Sequence, residues 1–457
     1  MKIFLVGITG SSSDLQLAVF ALKSALIASG LPVEVQIGHY DRILPEEFES
    51  RCKGIANDII HAKPDLVGFS VYTWNVNACN KISKIIWREN VPVVFGGPEI
   101  TKDAIADYII TGEGELPFIE CVRSIMEDRI YYTPEIKELP SLDDIPSPYL
   151  TGCIPDELLS KPNFKAVIET QRGCNFRCAY CHYHANFPTI RYKNINTVIE
   201  EAKYAQQHGA SSLRFADGNY LSNKGRATEI LIRLAKEGVH LPLFFEVIPS
   251  FVNQEFADAI RGYAGKITVG IGLQTLNKEA LRLIRRPTAI GTIERAYSLL
   301  EKAGAIIITD VILGLPRETK ESFISVLEFM VEVMRNPNHI LAVSLLMILP
   351  DTDMEQIAKN EGLTIEGKNH FVYETPTMPR NDLEYCAKLV ASAYRLLNSD
   401  MRKMFYNNCG KHPMTLLRKM ANHITVEKDL EHYWIWEVFK EIFDSEIEMF
   451  LDNYGSN

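Results

Sequence analysis

The sequence predicts an α/β protein with two parallel-sheet domains and a small helical region at its C-terminal end. The chain has 457 residues, which exceeds the size of one ordinary hydrophobic core. Short apolar runs alternate with amphipathic stretches in two successive series, as in strand–helix repeats. This strand pattern fades after Pro350. We therefore expect a doubly wound sheet, then a partial (β/α)6 barrel, then helices.

The first series predicts a Rossmann-like domain over residues 1–130. Its strands are the runs "KIFLVGI", "VEVQIG", "DLVGFSV", "VPVVFGG" and "ADYIIT". They are short and rich in Val, Ile and Phe, as strands buried on both faces are. The stretches "LQLAVFALKSALIASG" and "ACNKISKIIWREN" supply amphipathic helices between strands.

Ligands of such a sheet bind beyond the carboxyl ends of its strands. The loops at these ends are "TGSSSD" (9–14), "VYTWN" (71–75), "GGPEI" (96–100) and "GEGEL" (112–116). The sequence has no G-x-G-x-x-G after the first strand and no Walker A lysine. Simple dinucleotide or triphosphate binding is therefore disfavoured.

The second series predicts the partial barrel over residues 164–350, after a linker over 131–163 that is rich in Pro, Asp, Ser and Glu. Its strands are "KAVIET", "SLRFAD", "LFFEVI", "ITVGIGL", "IIITDVIL" and "LAVSLLMI". Helices are expected near 194–208, 224–237, 253–262, 277–284, 291–303 and 319–335. Reactive groups of a parallel barrel gather at the carboxyl ends of its strands.

Residues 351–457 are expected to form a helical cap or substrate region, with helical periodicity over 381–399 and 426–450. The aromatic run "HYWIWEVF" is interpreted as core of this cap rather than as a substrate platform. Five charged residues are candidates for contact with a polar substrate, although a solvated surface explains each more simply: Asp351, Asp353, Arg380, Arg402 and Lys403.

Composition limits the classes of protein to consider. The chain is 46% hydrophobic and 23% charged, with net charge −10 and a pI of about 5.7, which does not favour a nucleic-acid-binding protein. No apolar run approaches the roughly 18 residues of a spanning helix, so no membrane association is expected. "MKIFLVGITG" is interpreted as a buried strand rather than a signal peptide, and we expect a cytoplasmic protein.

Three of the nine cysteines lie in "QRGCNFRCAYC", just past the first strand of the second series. Cys174, Cys178 and Cys181 form C-x3-C-x2-C, whereas the other six cysteines are scattered singly. Three thiolates suit a cubane iron–sulfur cluster that leaves one iron open to another ligand. A zinc site completed by His182 or His184 is the alternative.

This spacing, with Tyr180 directly before the last cysteine, resembles the radical S-adenosylmethionine (SAM) superfamily, over roughly residues 160–350. The resemblance implies a [4Fe-4S] cluster whose open iron binds SAM and whose electron breaks a C–S bond, usually giving a 5′-deoxyadenosyl radical. It also implies SAM contacts from adenine-facing Tyr180, from "FADGN" (215–219), from the ends of the third and fourth strands, and from "DVILGLPRET" (310–319), where Asp310 replaces a common Gly. These candidates are Tyr180, Asp217, Gly218, Asn219, Glu246, Gln274, Ile312 and Leu313.

"DLVGFSVYTWN", "VVFGGPEI" and "IITGEGE" together resemble the cobalamin-binding domain that precedes the barrel in one large radical SAM class. The resemblance implies cobalamin contacts from Thr9, Gly10, Ser11, Ser12, Ser70, Tyr72, Thr73, Trp74, Gly96, Gly97, Pro98, Glu99, Gly112, Glu113, Gly114 and Glu115. The cobalt-ligating His of D-x-H-x-x-G is missing, and His39 and His61 lie in other segments. Trp74 is our candidate for covering the lower face of the cobalt, and packing of the domain interface is the alternative.

The two resemblances together imply methylation of an unactivated carbon, through methylcobalamin and a 5′-deoxyadenosyl radical, on a natural-product, peptide or other small substrate. They also imply an electron donor such as flavodoxin or ferredoxin. Three alternatives remain open: a radical SAM isomerase, cyclase or dehydratase, a tRNA-modifying methylthiotransferase, and a non-catalytic cobalamin- or zinc-binding protein. The methylthiotransferase needs a second cluster, and Cys52, Cys79 and Cys121 are too dispersed to match its pattern.

Overall fold

A computed structural model describes residues 1–11, 13–100, 104–129, 141–366, 370–409 and 413–423. The chain divides into two compact units. The first comprises Met1–Asn175, His182–Phe245 and Gly262–Lys266, and the second comprises Phe176–Cys181, Glu246–Arg261 and Ile267–Asn457. Among the residues described, no helix combines the length and apolar character needed to cross a bilayer.

The first unit begins with five parallel strands in the order β2-β1-β3-β4-β5. The elements are β1 (Lys2–Ile8), α1 (Leu17–Ala28), β2 (Glu34–Tyr40), α2 (Phe48–Ala62), β3 (Leu66–Ser70), α3 (Val76–Ile86), β4 (Val93–Gly96), β5 (Tyr108–Ile110) and α4 (Glu115–Met126), with 3₁₀ turns at Pro45–Glu47 and Trp87–Glu89. This order confirms the doubly wound sheet. It also places the switch point, where ligands of such folds bind, between β1 and β3.

Helices cover both faces of this sheet, which is why its strands are nearly continuous apolar runs. On one face Phe4 and Val6 pack in a cluster with Ile55 of α2 and Ile82 of α3. On the other face Phe118 of α4 packs close to the backbone of β3. The burial of both faces explains why the strands could be located from composition alone.

The described part of the predicted linker packs within the first unit. A 3₁₀ turn (Leu142–Asp144) and α5 (Asp156–Leu159) form in this segment. Tyr149 is buried, and its hydroxyl donates to the carbonyl of Val167 over 2.7 Å. Ser24 donates to the carbonyl of Pro146 over 2.8 Å. Apolar anchors in a Pro-rich connector therefore make residues 141–163 part of a folded core.

The second series contains the six predicted strands, each near its predicted position. The elements are β6 (Lys165–Ile168), β7 (Gln171–Arg172), α6 (Tyr183–Asn186), β8 (Arg191–Tyr192), α7 (Ile195–Gln207), β9 (Ser212–Phe215), α8 (Lys224–Lys236), β10 (Leu243–Val247), α9 (Gln254–Gly262), β11 (Ile267–Gln274), α10 (Lys278–Leu283), α11 (Ile290–Lys302), β12 (Ile306–Leu313), α12 (Lys320–Val333) and β13 (His339–Leu345). In the first unit β6, β9 and β10 pair in parallel, and in the second unit β11, β12 and β13 do so. The alternating strand–helix series is confirmed, whereas the antiparallel pair β7–β8 was not predicted.

The C-terminal region adds α13 (Met354–Glu361), β14 (Thr364–Glu366), β15 (Phe371–Glu374), α14 (Arg380–Leu397), α15 (Arg402–Asn408) and α16 (Pro413–His423). The helix predicted over 381–399 is confirmed as α14. The short hairpin β14–β15 was missed because strands of three and four residues carry little period-2 signal. The predicted helix over 426–450, with "HYWIWEVF", lies outside the described residues.

Candidate functional site

The loops after β1 and β3 are held together at the switch point by two side chains of the second loop. The indole Nε1 of Trp74 donates to the carbonyl of Ile8 over 2.9 Å, and the Asn75 amide donates to the same carbonyl over 3.0 Å. The Trp74 ring lies against Gly10, where a Cβ atom would come within 3.2 Å of it. Thr9 is buried, and its hydroxyl donates to the carbonyl of Ser11 over 2.6 Å. Asn75 was not predicted as part of this region.

Trp74 packs against protein and still presents surface. Its ring stacks on Tyr72, with centroids 4.5 Å apart and planes inclined by 9°, and 43% of the residue is exposed. These contacts lie within the first domain, so packing at a domain interface and the role as a cobalt cover both stay predictions. His39 lies on β2, where its Nε2 accepts from the Gln16 backbone over 3.2 Å. Ser12 lies outside the described residues.

The loop after β4 approaches the loop after β3 so closely that only glycine fits. Gly97 has φ +128°, and a Cβ atom there would come within 2.2 Å of the Val71 carbonyl oxygen. The Thr73 hydroxyl donates to the buried Glu99 carboxylate over 3.1 Å. The neighbouring Ser70 is buried, and the adjacent Pro98 is half-buried. Together the loops present backbone, which suits contact with a large polar ligand.

The two glutamates of the "GEGE" loop lie in a buried ion network instead of pointing toward an open cradle. Arg172 of β7 contacts Glu115 over 2.5 Å, Glu113 over 3.4 Å and Glu169 over 2.9 Å. Arg191 of β8 donates to both carboxylate oxygens of Glu113. Contact of these carboxylates with a ligand would require them to leave their arginines. The backbone of this loop, at Gly112 (φ +78°) and Gly114, is therefore the part that could contact a ligand.

Electrostatics keep this network charged. Burial alone would raise the pKa of Glu115, but the Arg172 guanidinium outweighs burial and holds that pKa below its ordinary value. The pKa of Arg172 is raised well above its usual range, because Glu115 and Glu169 outweigh burial. The sequence carried one indirect signal for this arrangement: acidic side chains in a buried loop require cationic partners.

Asp217 fixes the backbone that leads into the cysteine segment. Its buried carboxylate accepts from the Thr170 backbone over 2.8 Å, from the Thr170 hydroxyl over 2.5 Å and from the Gln171 backbone over 3.2 Å. Burial raises the pKa of Asp217 to about 6, while these donors act to lower it. The predicted SAM contact is therefore, in this structure, an anchor for the residues before Cys174.

The two residues after Asp217 support the same segment. The Gln171 amide donates to the Asn219 carbonyl over 2.9 Å, and the Asn219 amide donates to the Asn175 side chain over 3.3 Å. A Cβ atom on Gly218 would come within 2.6 Å of the Tyr183 ring. Glycine is thus required there by packing.

In the second unit, Cys178 and Cys181 lie at the two ends of a tight turn. The Cys181 backbone donates to the Cys178 carbonyl over 3.0 Å. Ala179, fully buried, donates to the carbonyl of Ile284 over 3.0 Å and accepts from Met354 over 3.0 Å. The turn is therefore anchored to α10 and α13, and half-buried Tyr180 packs against the same core.

Arg286 is an unpredicted cation beside this turn. Its Nη1 lies 3.4 Å from Cys178 Sγ, and its Nη2 lies 3.5 Å from the Gly272 carbonyl. Gln274 follows at a bulge in β11 and has φ +63°. A Cβ atom on Gly272 would come within 2.3 Å of the Gln274 amide.

The remaining predicted SAM contacts lie on β10 and β12. The Glu246 carboxylate covers the backbone of Gly270, where a Cβ atom would come within 2.2 Å of it. Along β12 half-buried and buried residues alternate, with Asp310 and Ile312 on one face and Leu313, fully buried, on the other. Because successive strand residues point to opposite faces, Ile312 and Leu313 cannot present their side chains to one ligand.

Among the described residues, no group of three or more His, Cys, Asp and Glu side chains is arranged to hold a single metal ion. The zinc alternative therefore gains no support from the structure. A cubane cluster places its thiolates on three different irons, so convergence on one point is not its requirement.

Two family models match the chain. The "B12 binding domain" model matches residues 16–122, and the "Radical SAM superfamily" model matches residues 168–330. The chain contains a B12-binding domain followed by a radical SAM domain. Both predicted resemblances are thereby confirmed.

Two curated proteins are similar to this chain over most of its length. The cobalamin-dependent radical SAM methyltransferase TokK of Streptomyces tokunonensis is 28% identical over 387 residues, which cover 76% of this chain and 56% of TokK. This match thus spans little more than half the length of TokK. The uncharacterized methyltransferase PH0819 of Pyrococcus horikoshii is 27% identical over 353 residues, 68% of this chain and 75% of that protein.

Among solved structures, the radical SAM methyltransferase TsrM from Kitasatospora setae, with cobalamin and a [4Fe-4S] cluster bound, matches with a TM-score of 0.63. The match covers 80% of this chain and 76% of TsrM at 18% identity. At this identity the likeness shows a shared fold over the covered part of the chain.

Gly97→Ala tests the close approach of loops in the B12-binding domain. The added methyl meets the Val71 carbonyl at a backbone angle that disfavours side chains, so we expect a loss of about 1–3 kcal/mol in unfolding free energy. Cobalamin uptake should weaken in parallel. The control is Gly54→Ala on α2, whose Cβ would meet nothing within 4 Å. Equal melting temperatures for the two variants would show that the close approach of the loops does not require glycine at position 97.

Asp217→Ala tests the anchor of the radical SAM domain. Three buried donors lose their acceptor, so we expect destabilisation of about 3 kcal/mol and fewer iron atoms bound per chain after reconstitution. Asp258→Ala removes an exposed carboxylate of α9 and serves as the control. Thermal unfolding and iron analysis measure both effects. Unchanged iron binding by Asp217→Ala would show that the anchor is dispensable.

Proposed function

We propose that the protein is a cobalamin-dependent radical SAM methyltransferase that methylates an unactivated carbon of a small-molecule or peptide substrate. The observation that carries the proposal is the presence, in one chain, of a B12-binding domain and of C-x3-C-x2-C at the start of a radical SAM domain. TokK and TsrM, both named as methyltransferases, support this reaction over the isomerase, cyclase and dehydratase alternatives.

Cys174, Cys178 and Cys181 would hold the [4Fe-4S] cluster, with SAM on the open iron. This assignment rests on the spacing of the three thiols. Local rigidity of the chain supports the assignment. Asp217 fixes the backbone before Cys174, and Ala179 fixes the turn between the other two cysteines. The backbone that carries the three thiols is thus held in one conformation.

Four side chains of the second unit have a chemistry that suits contact with SAM, namely those of Tyr180, Glu246, Gln274 and Ile312. Glu246 has a carboxylate for hydroxyl groups, Gln274 an amide held at a strained backbone position, and Ile312 an apolar surface. Asp217, Gly218, Asn219 and Leu313 are committed to packing or hydrogen bonds, so SAM would contact their backbone. When bound, the cluster and SAM supply the electron transfer and the radical, and cobalamin supplies the methyl carrier.

Cobalamin would lie over the carboxyl ends of β1, β3, β4 and β5. The supporting feature is bare backbone at Gly10 and Gly97, where the loops pack so closely that a Cβ atom would lie 3.2 Å from the Trp74 ring or 2.2 Å from the Val71 carbonyl oxygen. No imidazole lies in the matching loop, and the imidazole of His39 already accepts a backbone hydrogen bond on β2. Trp74, with 43% of its surface exposed beside Gly10, remains our candidate for covering the cobalt.

A methylthiotransferase is less well supported, because its second cluster needs cysteines that can converge. Cys52, Cys79 and Cys121 are fully buried in α2, α3 and α4, and α4 lies on the opposite face of the sheet from the other two helices. Burial raises the pKa of the Cys52 thiol to about 11 and that of Cys121 to about 12. These thiols are core residues.

We further propose a cytoplasmic setting, an electron donor such as flavodoxin or ferredoxin, and neither nucleic acid nor membrane as partner. The acidic net charge of −10 supports the absence of a nucleic-acid substrate. A low-potential protein donor is required because the cluster must be reduced before SAM is cleaved.

The proposal predicts that the protein reconstituted with iron, sulfide and hydroxocobalamin binds about one cobalamin and four irons per chain. With a reductant and SAM carrying a CD₃ group, cobalamin extracted from the protein should gain that labelled methyl, as measured by mass spectrometry. The matched control is Cys178→Ala, which should retain cobalamin and lose iron. A wild-type preparation with a full cluster and no cobalamin would overturn the methyltransferase proposal in favour of cobalamin-independent radical chemistry.

A further inference from the structure

Arg286 is a buried cation whose position is set by the end of α10. The Arg285 backbone donates to the Arg282 carbonyl over 3.1 Å, and the Arg286 backbone donates to the Leu281 carbonyl over 2.8 Å. Arg285 takes a left-handed conformation, with φ +56°. This helix end separates the two neighbours: Arg286 is 8% exposed, whereas the Arg285 side chain is 51% exposed and pairs with Asp353.

The guanidinium of Arg286 is fixed by several contacts at once. Nη1 lies 3.4 Å from Cys178 Sγ, and Nη2 lies 3.5 Å from the Gly272 carbonyl oxygen. Its central carbon lies 5.7 Å from the centre of the Phe176 ring, as in a cation–π contact. Phe176 in turn packs edge-on against Phe251. One nitrogen of the planar guanidinium thereby faces sulfur while the other faces a carbonyl oxygen, a geometry that a lysine ammonium does not reproduce.

We propose that Arg286 is a positioning residue that donates a hydrogen bond to the Cys178 thiolate and raises the reduction potential of the cluster bound there. The inference rests on the proposed function, since it requires Cys178 to bind iron. A cluster with three thiolates carries negative charge, and hydrogen bonds to its sulfurs are among the factors that set its potential.

Reduction of the cluster strengthens its electrostatic attraction to the Arg286 guanidinium. An external one-electron donor supplies the electron and is oxidised, and the charge of the cluster becomes more negative by one. Because the charge of Arg286 is held at 3.4 Å from a ligating sulfur, it stabilises the reduced form more than the oxidised form. Arg286 thus makes the cluster easier to reduce without touching substrate.

The test is a redox titration of the reconstituted full-length protein, monitored by the electron paramagnetic resonance signal of the reduced cluster. Arg286→Met should make reduction about tenfold less favourable, a shift of about 59 mV to more negative potential for a one-electron couple. Arg285→Met removes a charge from the adjacent exposed position and should leave the potential unchanged. Arg286→Met with full iron content and the parent potential would overturn the inference.

A second variant and a second signal cover the case in which Arg286→Met assembles less cluster. Arg286→Gln keeps a polar but shorter and uncharged side chain and should also show a more negative potential, because the charge is lost. In the parent protein containing ¹⁵N-arginine, electron–nuclear double resonance should detect a nitrogen coupled to the reduced cluster, and this coupling should vanish in Arg286→Gln. Its absence from the parent spectrum would contradict the hydrogen bond.

The outcomes separate this inference from the proposed function. Failure of the parent protein to assemble a reducible cluster removes both. A normal parent cluster with unshifted potentials in both Arg286 variants removes only the role of Arg286. If these variants lose affinity for SAM while the potential stays at the parent value, Arg286 acts on SAM and the inference is wrong.

Discussion

The buried guanidinium of Arg172 joins the loop after β5 to the strand that precedes Cys174, and the candidate site of the first unit depends on it. Arg172 pairs with Glu113 and Glu115 of that loop and with Glu169 of its own segment. Removing a partner from such a buried network leaves uncompensated charge, which costs about 3–5 kcal/mol. The B12-binding domain and the start of the cysteine segment are therefore coupled by one side chain.

Much of the polar chemistry around the cysteines serves to hold backbone. The Asp217 carboxylate accepts hydrogen bonds from Thr170 and Gln171, and the Asn219 amide donates to the Asn175 side chain. In the second unit Ala179 fixes the turn through its own backbone. A site built for radical chemistry gains from this rigidity, because its cofactors react and its protein groups must not. The N-terminal loops follow the same pattern. Their glycines expose backbone that could contact a ligand, while their ionised side chains are paired within the protein.

The order of elements was predictable because strands buried on both faces are apolar runs and because helices between them keep their period. The cysteine spacing and the two series identified the domain types without contact information. Arg172, Arg286 and Asn75 were not predictable, because each has a partner that is distant in sequence: Glu115, Cys178 and Ile8, respectively. Glu113 and Asp217 show the converse: a loop position suggests ligand binding, while only the three-dimensional contacts reveal that the carboxylate is already occupied. The two faces of β12 similarly separate Ile312 from Leu313.

The proposed function requires that three thiolates of this chain hold a cluster with one iron open to SAM. The electron paramagnetic resonance spectrum of the reconstituted, reduced protein, recorded before and after addition of SAM, tests this requirement. We expect the signal of a reduced [4Fe-4S] cluster whose g values change when SAM binds. A colourless protein that binds zinc, or a cluster whose spectrum is indifferent to SAM, would contradict it.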